Sequence, residues 1–245
     1  MMRSDHTSIE TYSVIIPAGV MLAGDLSVPR EAKALVVFAH GSGSSRRSRR
    51  NQGVADHLQR AGFATLLFDL LTADEALLDE RAGHLRFDVP LLAERLAKVT
   101  DWLEEHATTH GLRVGYFGAS TGAAAALVAA AALPSTVRAV VSRGGRPDLA
   151  GPYLARVAVP TLLIVGGNDS PVIAMNQAAM RQLASVAKEL VFVPGATHLF
   201  EEPGALEQVS ELALEWFERH LASAHTPTHS PADARTSRPR FRGAI

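Results

Sequence analysis

Cysteine is absent from the 245 residues of this chain. That excludes disulfides, a thiol nucleophile and thiolate metal sites. An excess of charge of either sign is absent too. The 24 Lys and Arg oppose 25 Asp and Glu, so no overall basic field exists to attract a nucleic acid. Long hydrophobic runs are missing as well. The longest, Ala123 to Leu133, falls short of the ~20 residues that span a bilayer, and the opening MMRSDHTSIETYSVI lacks the apolar stretch of a signal peptide. The expectation is a soluble, cytoplasmic protein with neither a membrane nor a nucleic acid as partner. What is present is a hydrophobic content of 47% against 20% charged residues. That supports a substantial core and excludes a mostly disordered chain or a coiled coil.

Apolar runs broken by Gly and Pro recur, with helical patterns between them. Ile9–Ile16 and Val20–Val28 read as an opening pair of strands around Pro17–Gly19. Ala34–Ala39 and Phe63–Leu70 read as buried strands, and Val114–Phe117, Val137–Ser142, Thr161–Val165 and Leu190–Val193 as further strands. Helical spacing marks Gly53–Ala61, Asp88–Ala107, Ser120–Leu133, Pro171–Val186 and Ala205–Leu221, with Asp88 placed to cap its helix. Alternation of this kind after an antiparallel start predicts a mostly parallel sheet with helices on both faces. Residues 1–222 are expected to form one domain. Residues 223–245, rich in Pro, Ser, Thr and Arg without apolar periodicity, are expected to be a disordered tail.

The chemistry concentrates at strand ends. Gly118-Ala119-Ser120-Thr121-Gly122 lies between a predicted strand and a predicted helix. A G-x-S-x-G sequence in that context suits a sharp turn that lifts the serine hydroxyl clear of the sheet. A bland alternative is a glycine-rich turn with Ser120 as helix N-cap. A serine hydroxyl needs a base, itself oriented by an acid. Downstream, Asp169 follows the TLLIVGG strand and His198 follows the LVFVPG strand, both at the sheet edge where ligands bind. Phe38-Ala39-His40-Gly41-Ser42-Gly43 follows a third buried strand. The backbone amides of Ser42 and Thr121 are the expected donors to a developing oxyanion.

HGSG, GASTG, the aspartate after LLIVGG and the histidine in PGATH resemble the α/β-hydrolase superfamily, in its dienelactone-hydrolase-like branch. HGSGSSR, RFDVPLLAERL, SRGGRPDLAG and GATHLFEEPGALE further resemble a bacterial subgroup of uncharacterised hydrolases. Members of that subgroup occur alone or fused to a phosphoribosyltransferase domain, and no such second domain is expected here. The resemblance covers about residues 8–221. It implies an eight-stranded sheet, with Ser120 as nucleophile, Asp169 as orienting acid and His198 as base. One departure stands out. Dienelactone hydrolases proper carry a cysteine in the elbow, so the serine here points to ester rather than dienelactone chemistry.

Other residues were weighed beside these. Residues 143–159 are too few for a full cap domain, so an open site is expected. Arg46, Arg47, Arg49 and Arg50 follow the presumed oxyanion loop, and Arg143 follows the sixth strand. An arginine fork suits a carboxylate or phosphate, so His40, Arg46 and Arg143 are candidate substrate contacts. The alternatives are a solvated loop and an Arg143 tied to Asp148 or to backbone carbonyls. Asp148 is the rival acid, and Asp69 reads as a turn or cap residue. Glu201 and Glu202 read as caps of the last helix. His106 and His110 have metal-pair spacing but lack the glutamate of H-E-x-x-H. The composite expectation is a hydrolase without metal or other cofactor, acting on small to medium carboxylic esters through an acyl-enzyme, as monomer or homodimer. An acyltransferase, thioesterase or amidase with the same residues is one alternative. A non-catalytic binding module with a hydrolase fold is another.

Overall fold

The computed structural model describes residues 8–221; the tail expected over 223–245 lies outside the described residues. Eight strands form one sheet in the order β1-β2-β4-β3-β5-β6-β7-β8. The hairpin of β1 (Ile9–Pro17) and β2 (Met21–Pro29) pairs antiparallel with itself and with β4 (Ala64–Phe68). From β4 onward, β3 (Leu35–Ala39), β5 (Val114–Ala119), β6 (Val137–Arg143), β7 (Thr161–Gly166) and β8 (Lys188–Val193) run parallel. The central strands β3, β4, β5 and β7 are buried at every position. Their uninterrupted apolar composition follows, since a parallel strand is covered on both faces. The α/β-hydrolase fold and the eight strands are as expected.

Side chains of alternating parity supply two cores. Leu35, Val37, Tyr116, Val140 and Leu163 pack beneath α3 (Val89–Glu105), α4 (Thr121–Ala132) and α5 (Ser170–Gln182). Val36, Phe38, Phe117, Val141 and Ile164 pack beneath α1 (Arg49–Arg60) and α6 (Ala205–His220). The alanines of α4 are buried all round; with side chains this small, the helix lies close to the sheet it crosses. Asp88 caps α3, accepting the Leu91 N–H at 3.0 Å, as expected. Helix α1 begins four residues before its expected start, because Ser48 caps it and accepts the Asn51 N–H.

A helix absent from the expectations, α2 (Ala73–Ala82), rises after β4. Thr72 and Glu75 form a reciprocal capping box at its start, which is legible as T-x-x-E. Its apolar face is weak, with Leu77 and Leu78 exposed, so helical periodicity gave no signal. Arg95 of α3, itself buried, holds α2 in place through Glu75 at 2.6 and 2.8 Å and the Leu70 carbonyl at 2.8 Å. The Arg95 guanidinium keeps the Glu75 carboxyl below the usual glutamate range. Between β6 and β7 there is only 3-10 structure, Pro147–Arg156. No cap domain covers the strand ends there.

Candidate active site

Ser120 stands between β5 and α4 with φ 51° and ψ −119°. A non-glycine residue there is strained, and the surroundings hold it. Its N–H donates to the Arg143 carbonyl at 3.2 Å, and its carbonyl accepts the Arg146 N–H at 3.1 Å. The Ser120 side chain makes no capping bond, which sets aside the N-cap reading. The glycines of the elbow answer to close approach. A Cβ on Gly118 would lie 2.4 Å from Ala123 Cα, and one on Gly122 would lie 2.2 Å from the Ala39 carbonyl oxygen.

Asp169 precedes α5 and His198 follows β8, at neighbouring strand ends. His198 Nδ1–H donates to Asp169 Oδ2 at 2.7 Å. That bond leaves Nε2 as the basic nitrogen of the ring. Asp169 is the more enclosed partner, at 11% side-chain exposure against 37% for His198. His198 packs on the Gly144 backbone, beside the Arg143 carbonyl that receives the Ser120 N–H. Phe200, two residues on, takes φ 56° and is buried. The rival acid Asp148 is engaged by Arg146 at 2.7 and 2.9 Å.

Across the Ser120 turn lies the loop after β3. The Ser42 N–H donates to Thr121 Oγ1 at 2.8 Å. The amide expected to face an oxyanion is thus engaged by a hydroxyl in this structure. His40 is buried and uses both ring nitrogens on backbone. Nε2 accepts the Leu70 N–H at 3.1 Å and Nδ1–H donates to the Gly41 carbonyl at 2.9 Å. Burial pushes its pKa down from the ordinary histidine value. No polar atom of the ring remains for a substrate, so His40 shapes the loop instead.

The arginines depart from expectation. Arg46 borders the site, but its guanidinium is bound by Asp69 and by Asp25, and its N–H donates to Asp69 Oδ1 at 2.7 Å. Asp69 is therefore an arginine clamp rather than a cap. Arg143 is buried, with Nε and one terminal nitrogen lacking any acceptor among the described residues. It is tied neither to Asp148 nor to a carbonyl. Its guanidinium sits 5.9 Å from the Phe200 ring centre. Burial, then the neighbouring Arg50, push its pKa down to about 10, so it stays charged at neutral pH. Arg50 pairs with Glu201 at 2.7 Å, and Glu202 binds Thr197. Neither glutamate side chain caps α6, whose N-cap is Gly204. His106 lies against Trp102, and His110 bonds the Glu104 carbonyl. Among the described residues no cluster of three or more histidine or acidic side chains could hold a metal, and no helix is long and apolar enough to cross a membrane.

A cavity of about 630 Å3 opens beside this loop, within the size range of small-molecule sites. Gly41, Ser42 and Thr121 border it, and α2 forms its far wall. That wall was the part missing from the sequence reading.

The dienelactone hydrolase family matches residues 20–222. A dienelactone hydrolase from Anabaena variabilis is 59% identical and superposes with a TM-score of 0.86, covering 88% of this chain and 100% of that one. Proteins of two Mycobacterium tuberculosis strains, named as phosphoribosyl transferases, are 58% identical over 207 residues, 84% of this chain. The chain spans about half the length of these curated relatives, 46%. Est1E from Butyrivibrio proteoclasticus, solved with ferulic acid, shares the fold alone at 19% identity. Its TM-score is 0.71, over 86% of this chain and 100% of that one. The family match begins at the hairpin, runs through the Ser120 turn and the Asp169–His198 pair, and ends past α6; over that span the chain belongs to the dienelactone hydrolase family, and it is a hydrolase.

Proposed function

We propose that the chain hydrolyses carboxylic esters, with Ser120 as nucleophile, His198 as general base and acid, and Asp169 as the residue that orients His198. The observation that carries this reading is the conjunction of a strained serine at φ 51° with a His198–Asp169 bond of 2.7 Å at neighbouring strand ends. His198 Nε2 takes the Ser120 proton as Oγ bonds to the carbonyl carbon. The tetrahedral oxyanion meets the backbone amides of Thr121 and of Ser42, the latter freed when the Thr121 hydroxyl turns away. Collapse breaks the bond to the leaving alcohol, which receives the proton from His198. Water, deprotonated by His198, then attacks the acyl-enzyme and releases the acid. Asp169 holds the ring in the tautomer this cycle needs and offsets the imidazolium charge.

The test is reaction with a fluorophosphonate, read by intact mass. One adduct is expected on the wild type and none on Ser120→Ala. A folded wild type that takes no adduct refutes the nucleophile and favours a binding module.

A further inference from the structure

The ester reading leaves open what the cavity beside Ser42 receives. A tetrahedral carbon on Ser120 Oγ carries three other groups: the oxyanion, the leaving oxygen and the acyl chain. The oxyanion faces the amides of Ser42 and Thr121. The leaving oxygen faces His198, because that ring must hand it a proton. Only the acyl chain is unassigned. The cavity borders Ser42, Thr121 and Gly41, and Gly41 packs against Ser120, while Ser120 itself, His198 and Arg143 are not among its walls. It therefore opens away from the leaving group, where the acyl chain points.

Its walls define the chemistry of that chain. Ile15, Met21, Leu70, Leu71, Ala76 and Leu92 give it apolar surface. Two cations border it, and both are neutralised. Arg46 is bound by Asp69 and Asp25, and Arg86 is bound by the buried Asp79. Asp79 also accepts the Leu85 N–H at 2.6 Å, so it is held rigidly. An incoming carboxylate would meet guanidiniums already neutralised by carboxylates, with Glu80 on the same wall, and leaving its charge uncompensated is unfavourable.

We propose that this cavity is the acyl-binding site and that it selects an uncharged, largely apolar acyl chain longer than acetyl. The proposal rests on the ester-hydrolase reading above.

The experiment compares kcat/KM for p-nitrophenyl acetate, p-nitrophenyl hexanoate and mono-p-nitrophenyl adipate, the last matching hexanoate in length but ending in a carboxylate. Hexanoate is expected to exceed each of the others by about tenfold or more. Ala76→Trp fills the cavity from an exposed position on α2, and is expected to lower the hexanoate-to-acetate ratio by about tenfold with an unchanged melting temperature. Asp69→Asn keeps an acceptor for the Arg46 amide but leaves its guanidinium with Asp25 alone, and is expected to raise adipate relative to hexanoate. Equal rates on the three esters, or preference for adipate, in an enzyme that turns over acetate overturn the acyl site and leave the ester reading intact. Turnover of none of them overturns the acyl site, and the fluorophosphonate adduct then decides the ester reading by itself.

Discussion

Ser120 is flanked by two arginine-bearing regions that differ in how their charge is treated. On the side of the β3–α1 loop, Arg46 is part-buried and closed by two carboxylates. On the side of the β6 end, Arg143 is buried with Nε and a terminal nitrogen unpaired. Arg46 follows β3 and Arg143 ends β6 at the same edge of the sheet, so their positions in the chain suggest the same role. The structure gives them opposite electrostatics. Arg46 borders the cavity yet presents no free charge to it. Arg143 keeps its charge but lies outside the cavity wall. Proximity to Ser120 thus does not fix the electrostatic state of an arginine; what else pairs with it does.

The comparison can be sharpened by changes on either side. The largest effect is expected from Asp169→Asn on the histidine side, which permits the wrong tautomer of His198 and should lower kcat by about 10³–10⁴-fold, read by steady-state kinetics. Next is Gly122→Ala. Its Cβ would meet the Ala39 and His40 carbonyl oxygens at 2.2 and 2.4 Å, forcing α4 off the β3 loop. A stability loss of about 3 kcal/mol or more is expected in urea unfolding. The arginine pair follows. Arg46→Met leaves Asp69 and Asp25 without their cation, and should cost about 1–3 kcal/mol. Arg143→Met removes an uncompensated buried charge, and should leave stability unchanged or raise it. Equal losses for the two would erase the contrast.

The smallest effect is a pH dependence. His40 has a depressed pKa in the fold, so the unfolded chain binds the proton more readily. Stability is then full above 6.5 and declines as pH falls below it. Glu75 is likewise depressed, through Arg95, and its contribution is present above 4.5 and lost below it. Wild type minus His40→Asn should isolate the first step in melting temperature against pH. A difference that stays constant from neutral pH downward would remove His40 from the account.

Burial patterns made most of the fold legible. Parallel strands covered on both faces must be apolar throughout, and the helices α3 to α6 show matching periodicity or composition. Helix α2 escaped because it packs through one buried carboxylate, Asp79, and one ion pair, Glu75 with Arg95, neither of which leaves an apolar stripe. The Ser120 turn and the residues after β7 and β8 were also legible, since backbone strain demands glycines and strand ends recur in order. Partners of the charged residues were not. Asp25 reaches Arg46 from a strand two elements away, and Glu201 reaches Arg50 across 151 positions of sequence.

The sequence by itself therefore determined the sheet, the sharp turn at Ser120 and the order in which Asp169 and His198 follow it, because period, glycine spacing and order are local properties of a chain. Only the tertiary structure decided which arginines are paired among the described residues, that the rings of His40 and His198 differ in what they hold, and that a cavity lies beside Ser42 and Thr121. Those outcomes depend on which distant groups meet, and the hydrogen bonds and ion pairs that settle them form only once the chain has closed.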